Sequence, residues 1–231
     1  IDVAGVNDAD DWLDRLRANG CTVLATSGSS GKCSFLPASN ADRALKYRHF
    51  ANATGWPHAR ANNQYEVFWT GPIEGPNSAI EAGQMMRDQW ARPGCFHHLI
   101  DEPLRITDVA AGAAFTRRMR EGKATPSEIE AFGKKSGEAA SRMTAGINRF
   151  IDDLLAKRGE PLMISGLWAQ HLQIIERARE LGIGDGEFHS ETRVNAGGGI
   201  KGVALPDDYK ERVAQFYGDV IRPGAYGMTE L

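Results

Sequence analysis

A chain of 231 residues that is 42% hydrophobic has the apolar content for a folded core, and its formal net charge of -3 leaves no global basic field to hold a nucleic-acid backbone or an anionic membrane. No nucleic-acid or membrane partner is expected, and a phosphate ligand must be caught locally. No apolar run approaches the ~18 residues of a membrane span, Ile1 opens no basic-then-apolar leader, and Cys21, Cys33 and Cys95 are too few and too scattered for a disulfide framework, so the expectation is a cytoplasmic protein with reduced thiols.

Residues 8–19 have the spacing of an amphipathic helix: Asp8 is placed to cap it, Trp12, Leu13 and Leu16 share a face, and Gly20 suits the position past its end. Cys21-Thr22-Val23-Leu24 is β-branched and apolar, as a buried strand requires. Beyond it comes Thr26-Ser27-Gly28-Ser29-Ser30-Gly31-Lys32, a loop suited to phosphate. Gly28 and Gly31 let the backbone turn its N–H groups toward an anion, the hydroxyls add donors, and Lys32 adds a full positive charge. The spacing is not that of a Walker A loop, because Thr26 stands where its first glycine belongs and Cys33 where its Ser or Thr belongs. A Gly/Ser run of this kind also fits a plain flexible connection.

Residues 34–37 form a brief extended piece, and Ser39 with Asp42 is a capping pair for a helix through Thr54, ended by Gly55. Arg43, Lys46 and Arg48 on it read as solvated surface. A strand over 64–69, a Gly/Pro loop over 71–76 and a helix over 78–90 give an α/β rhythm, with Trp69 equally suited to a pocket or to the core. A short strand over 95–100 carries Cys95, His97 and His98, which invite a metal reading, yet no second Cys/His cluster with ligand spacing completes it. A helix over 108–121 follows. The capping box Thr125-Pro126-Ser127-Glu128 then opens a helix that runs near Arg158 unless Gly133, Gly137 or Gly146 breaks it.

Residues 161–165 form a buried-strand candidate, and Gly166 turns the chain into a helix over 167–181, ended by Gly182. Trp168 and His171 share a face at its start, with His171 either lining a pocket or held in ordinary hydrogen bonds. His49, His58 and His189 form no constellation. A strand over 193–196 runs into Gly197-Gly198-Gly199, and Pro206-Asp207-Asp208 opens a helix to about Tyr217. Without repeats or low-complexity tracts, residues 1–231 read as one continuous α/β unit.

Three of these stretches carry a resemblance. The loop 26–32 resembles the Thr-Ser-Gly-Ser-Thr-Gly-Lys signature of the adenylate-forming acyl-activating (AMP-binding) superfamily, with Ser30 in the second-hydroxyl position. Tyr226-Gly227-Met228-Thr229-Glu230 matches its Tyr-Gly-Met-Thr-Glu motif, and Asn195-Ala196-Gly197-Gly198-Gly199 between them is similar to its adenine-contacting turn. The Ser-Ser loop and Gly197-Gly198-Gly199-Ile200-Lys201-Gly202 look most like the branch of acyl-protein synthetases and phenylacetate-coenzyme A ligases. The resemblance spreads over most of residues 21–231.

It implies the nucleotide-binding α/β core of the family's large N-terminal domain, layered sheets with flanking helices, with a segment ahead of Ile1 expected to be missing. The ribose-binding aspartate, the hinge and the C-terminal lid domain with its catalytic lysine would lie beyond Leu231. The implied enzyme is a ligase that joins a carboxylic acid to AMP at the cost of ATP and passes the acyl group to a thiol, either coenzyme A or a protein cysteine. Thr26, Ser27, Gly28, Ser29, Ser30, Gly31 and Lys32 would hold the β- and γ-phosphates. Tyr226 would pack on adenine opposite Gly197, Gly198 and Gly199, Thr229 would bond the α-phosphate, and Glu230 would bind magnesium. In the family the segment around Trp168 and His171 often borders the carboxylate pocket. Another class remains open, a noncatalytic nucleotide- or anion-binding module that uses the same loops, and so does activity of these residues without the lid domain.

Overall fold

The computed structural model of the protein describes residues 4–25, 34–198 and 205–223. Asp8 caps α1 (Ala9–Ala18) by accepting the Asp11 N–H at 2.8 Å, and Leu13 packs the helix against Val23 and Ala25 of β1 (Thr22–Ala25), which is buried throughout. β1 pairs antiparallel with β2 (Phe35–Ala38), Leu24 opposite Leu36, so the strand that leads to the serine-rich loop belongs to a separate two-stranded sheet. The capping box of Ser39 and Asp42 then opens α2 (Asn40–Ala53).

The main sheet follows from the strand–helix rhythm. β3 (Tyr65–Pro72) leads through α3 (Ser78–Gln89) to β4 (Ala91–Ile100), and α4 (Ile106–Arg120) and α5 (Pro126–Ala156) carry the chain to β5 (Leu162–Leu167). α6 (Trp168–Glu180) returns it to β6 (Arg193–Gly197), and α7 (Tyr209–Tyr217) closes the described part. The four strands are parallel in the order β4-β3-β5-β6, with Phe68 beside both His97 and Ile164, and Ser165 beside both Trp69 and Asn195.

Alternation along the strands gives the sheet two apolar faces. Phe68, Leu162, Ile164 and Val194 face α5, α6 and α7 through Phe150, Leu154, Ile174, Val213 and Phe216. Val67 and Met163 face Met86 and Trp90 on the side of α3. Helices therefore cover both faces, as a parallel sheet requires. At about 25 cal/mol per Å² of apolar surface, each large side chain enclosed here contributes ~2 kcal/mol of transfer free energy.

Several local expectations are corrected by longer-range packing. β4 starts at Ala91, earlier than its apolar end suggests, and α4 starts at Ile106. The long helix expected from Thr125 toward Arg158, by contrast, is borne out: α5 is one helix of 31 residues that passes through Gly133, Gly137 and Gly146 without a break. Each glycine costs the helix about 1 kcal/mol, less than the capping box and the burial of Phe150, Ile151, Leu154 and Leu155 return. Arg43 and Lys46 are not free surface cations: both sit 3.0 Å from the buried carboxylate of Glu81 and tie α2 to α3. The side chain of Arg105 makes no cap for α4. Instead Asp10, buried in α1, accepts the N–H groups of Ile106 and Thr107, both at 2.9 Å.

Glu66 is the third buried carboxylate of this kind. Its oxygens lie 2.6 Å from Lys157 Nζ, 2.6 Å from His97 Nε2 and 3.0 Å from Arg92 Nη2, which pins the end of α5 to the start of β3 and β4. Burial pushes this carboxyl upward, but hydrogen bonds from Lys157, His97 and Cys95 outweigh burial and hold it down to about 2. An unfolded glutamate titrates near 4.3, so the stabilisation is full above that pH and is lost as pH falls toward the folded value. The linkage is worth about 3 kcal/mol, and we expect about 2 because Arg92 and Lys157 remain partly in water. Urea unfolding of wild type and Glu66→Gln should show that gap at neutral pH and its disappearance as pH is lowered from about 4 to about 2. A gap that persists in acid would show that Glu66 acts through packing.

Candidate functional site

In an open parallel sheet, ligands bind outside the carboxyl ends of the strands, where successive crossovers depart to opposite faces. Here α3 leaves β3 on one face and α6 leaves β5 on the other, so the reversal lies between the ends of β3 and β5. A polar clasp spans it. Thr70 Oγ1 donates to Gln170 Oε1 at 2.6 Å, and Gln170 Nε2 donates back to the Thr70 carbonyl at 2.8 Å. The Leu167 N–H donates to the same Oε1 at 2.8 Å, which starts α6 where no Ser, Thr, Asp or Asn stands at the cap. Gly166 lies so close to Thr70 that an added Cβ would overlap its side chain.

The described flanks of the motif segments lead to this edge. Ala25, the last residue before the serine-rich loop, donates its N–H to the Pro76 carbonyl in the segment that follows β3. Asn77 Nδ2 reaches the Ala25 carbonyl at 3.5 Å while Asn77 Oδ1 caps α3 by accepting the Ala79 N–H at 2.8 Å. The loop thus departs beside a helix N-terminus. At the other side of the sheet Gly197 pairs with Leu167, and Gly198 turns the chain with φ of +82°, where an added Cβ would overlap the Leu167 side chain. Both the positive φ and the close approach call for glycine there. After α7 the chain returns along β6 in the same direction: Ile221 donates to the Thr192 carbonyl and accepts the Val194 N–H, each at 2.9 Å.

Thr26, Ser27, Gly28, Ser29, Ser30, Gly31, Lys32, Gly199, Tyr226, Thr229 and Glu230 lie outside the described residues, as does Cys33. Gly197 and Gly198 lie inside and stand at the carboxyl edge. Trp69 takes its core alternative: its indole N–H donates to the Pro72 carbonyl at 3.0 Å and its ring packs on Gly83 of α3. Trp168 is partly buried edge-to-face against Tyr209. His171 is wholly enclosed, with Nδ1 2.9 Å from the Tyr217 hydroxyl and Nε2 3.4 Å from the Asn195 carbonyl, so it is a core group rather than an open pocket wall.

The metal reading of Cys95, His97 and His98 gives way to the Glu66 cluster. His97 and Cys95 share its side of β4, and His98 turns to the other side, with Nδ1 3.2 Å from the Ile100 carbonyl. Among the described residues no three His, Cys, Asp or Glu side chains are grouped to hold an ion. Also among them, no helix is long and apolar enough to cross a membrane. The clasp of Thr70 and Gln170 carries no sequence signal, since its partners are 100 positions apart. Glu66 did carry one: a charge inside an apolar strand demands partners.

The clasp yields a double-mutant test. Gly166→Ala forces a methyl onto Thr70, and Thr70→Ala removes both the obstructing atoms and a hydrogen bond. Each single change should lower stability by about 1–3 kcal/mol, and Gly166→Ala should cost at least 1 kcal/mol less in the Thr70→Ala background. Additive losses in chemical denaturation would mean that the two positions do not meet.

No protein-family model, no curated protein and no solved structure matches the chain, so what the site does must be argued from its own residues.

Proposed function

We propose that this chain forms the nucleotide-binding part of an adenylate-forming ligase, which activates a carboxylic acid with ATP for transfer to a thiol. The observation that carries the reading is the common direction of three chain segments. Ala25 is docked behind β3, Gly197 and Gly198 follow β6, and the segment through Pro223 runs along β6 toward the same edge. Flanks of segments far apart in sequence thus lie along one edge of the sheet, which supports a ligand with an adenine, a ribose and a triphosphate bound there.

The chemistry matches residue by residue. Attack of a carboxylate on the α-phosphate brings two anions together and expels pyrophosphate, so donors and cations must be fixed in place before the reaction. The loop 26–32 supplies N–H groups, hydroxyls and the Lys32 ammonium for the β- and γ-phosphates. Gly197 has open space where a Cβ would stand, so a flat base can lie against the backbone with the Tyr226 ring on its other side. Thr229 supplies a hydroxyl for the α-phosphate. Magnesium would rest on Glu230, a hard oxygen ligand whose bound ion screens phosphate charge.

ATP-pyrophosphate exchange in the full-length protein, tested against a panel of aliphatic and aromatic acids, decides the reading. Lys32→Ala should slow exchange roughly ten- to a hundredfold while leaving AMP affinity nearly unchanged, because Lys32 acts on the phosphates that leave. Glu230→Gln should raise the magnesium concentration needed for exchange and lower its plateau. Nucleotide binding without exchange for any acid would favour the noncatalytic module instead.

A further inference from the structure

The neutral histidine under the glycine turn has a defined orientation. Of its neighbours, the Asn195 carbonyl can only accept, so the ring nitrogen facing it, Nε2, must carry the proton. Burial pushes the His171 imidazole down to about 4 and the Tyr217 phenol upward, so near neutral pH the ring is uncharged and the phenol keeps its hydrogen. Nδ1 is then bare and accepts from the Tyr217 hydroxyl 2.9 Å away. The demands at both ends agree on one tautomer.

This chain of bonds joins α7 through α6 to the strand that ends in the turn. Asn195 stands two residues before Gly197, on the rung of the sheet shared with Ser165, and Gly198 begins the turn at a positive φ one residue past the last rung, Gly197 with Leu167. We propose that His171 is a positioning residue for the turn at Gly197 and Gly198: held as the Nε2–H tautomer by Tyr217, it grips the Asn195 carbonyl and fixes the strand end from which the turn departs. Its effect on nucleotide affinity rests on the adenylation reading; its effect on the strand end does not.

Replacement of an enclosed histidine by any other group alters packing, so the test needs variants that separate bonding from volume. His171→Gln keeps an amide donor close to the Nε2 position, His171→Leu fills the space without one, and Tyr217→Phe removes a single oxygen atom and serves if the leucine variant fails to fold. Amide hydrogen exchange over residues 193–198 and ATP binding by calorimetry are measured in all of them. Loss of one net hydrogen bond should speed exchange about three- to tenfold in His171→Leu and Tyr217→Phe, and weaken ATP binding by a similar factor, with His171→Gln within about twofold of wild type. Nitrogen NMR of the wild-type ring should show the proton on Nε2.

A proton on Nδ1, equal behaviour of the glutamine and leucine variants, or exchange unchanged in all three would overturn the proposal. Wild-type protein that binds no ATP would remove the adenylation reading and leave hydrogen exchange to decide the role of His171.

Discussion

Parallel strands cannot be joined by tight turns, so each must hand the chain to a helix that crosses back over one face of the sheet. The reversal of face between β3 and β5 is the constraint on which the rest of this molecule depends. It opens a gap between the ends of two central strands, and it sets α3 and α6 pointing away from that gap with their N-termini beside it. Thr70, Leu167 and Gln170 close the base of the gap with hydrogen bonds, so that backbone groups between two diverging helices are not left unsatisfied.

Charge placed inside the fold serves attachment rather than chemistry. Asp10, Glu66 and Glu81 are each almost wholly enclosed, and each receives donors from elements distant in sequence: α4, α5 with β4, and α2. An enclosed carboxylate without partners would cost several kcal/mol, so each one fixes the position of whatever satisfies it. α2, which buries no residue of its own, is among the elements held in this way.

How much of this was legible from sequence depends on the range of the interaction. The caps at Asp8, Ser39 and Thr125 act within four residues and were read correctly, and so were the apolar runs that became β3 and β5. The partner of β1 was not, because an apolar tetrapeptide shows that a strand is buried but not which sheet buries it. The solvated reading of Arg43 and Lys46 failed for the same reason: Glu81 lies 38 residues from Arg43, and nothing local announces it. His171 left two readings open until Tyr217, 46 positions away, was seen to occupy its Nδ1. Most residues singled out for chemistry lie outside the described residues, which show the course of their flanks.

That direction still constrains the electrostatics of any anion bound there. Around the junction of β1 with the end of β3, the described cations already have carboxylate partners: Arg17 with Asp14, Arg43 and Lys46 with Glu81, and Arg105 with Asp10. Arg17 and Arg43, with Thr22, Leu24 and Gly75, also line a cavity of about 220 Å³ at this junction. A set of paired charges has little net field to offer, and the chain as a whole is acidic. A triphosphate at the carboxyl edge would therefore draw its attraction from the α3 N-terminus, from loop N–H groups and from Lys32. On the adenylation reading such a site would depend steeply on Lys32, because a network already neutralised by its own carboxylates would not replace that charge.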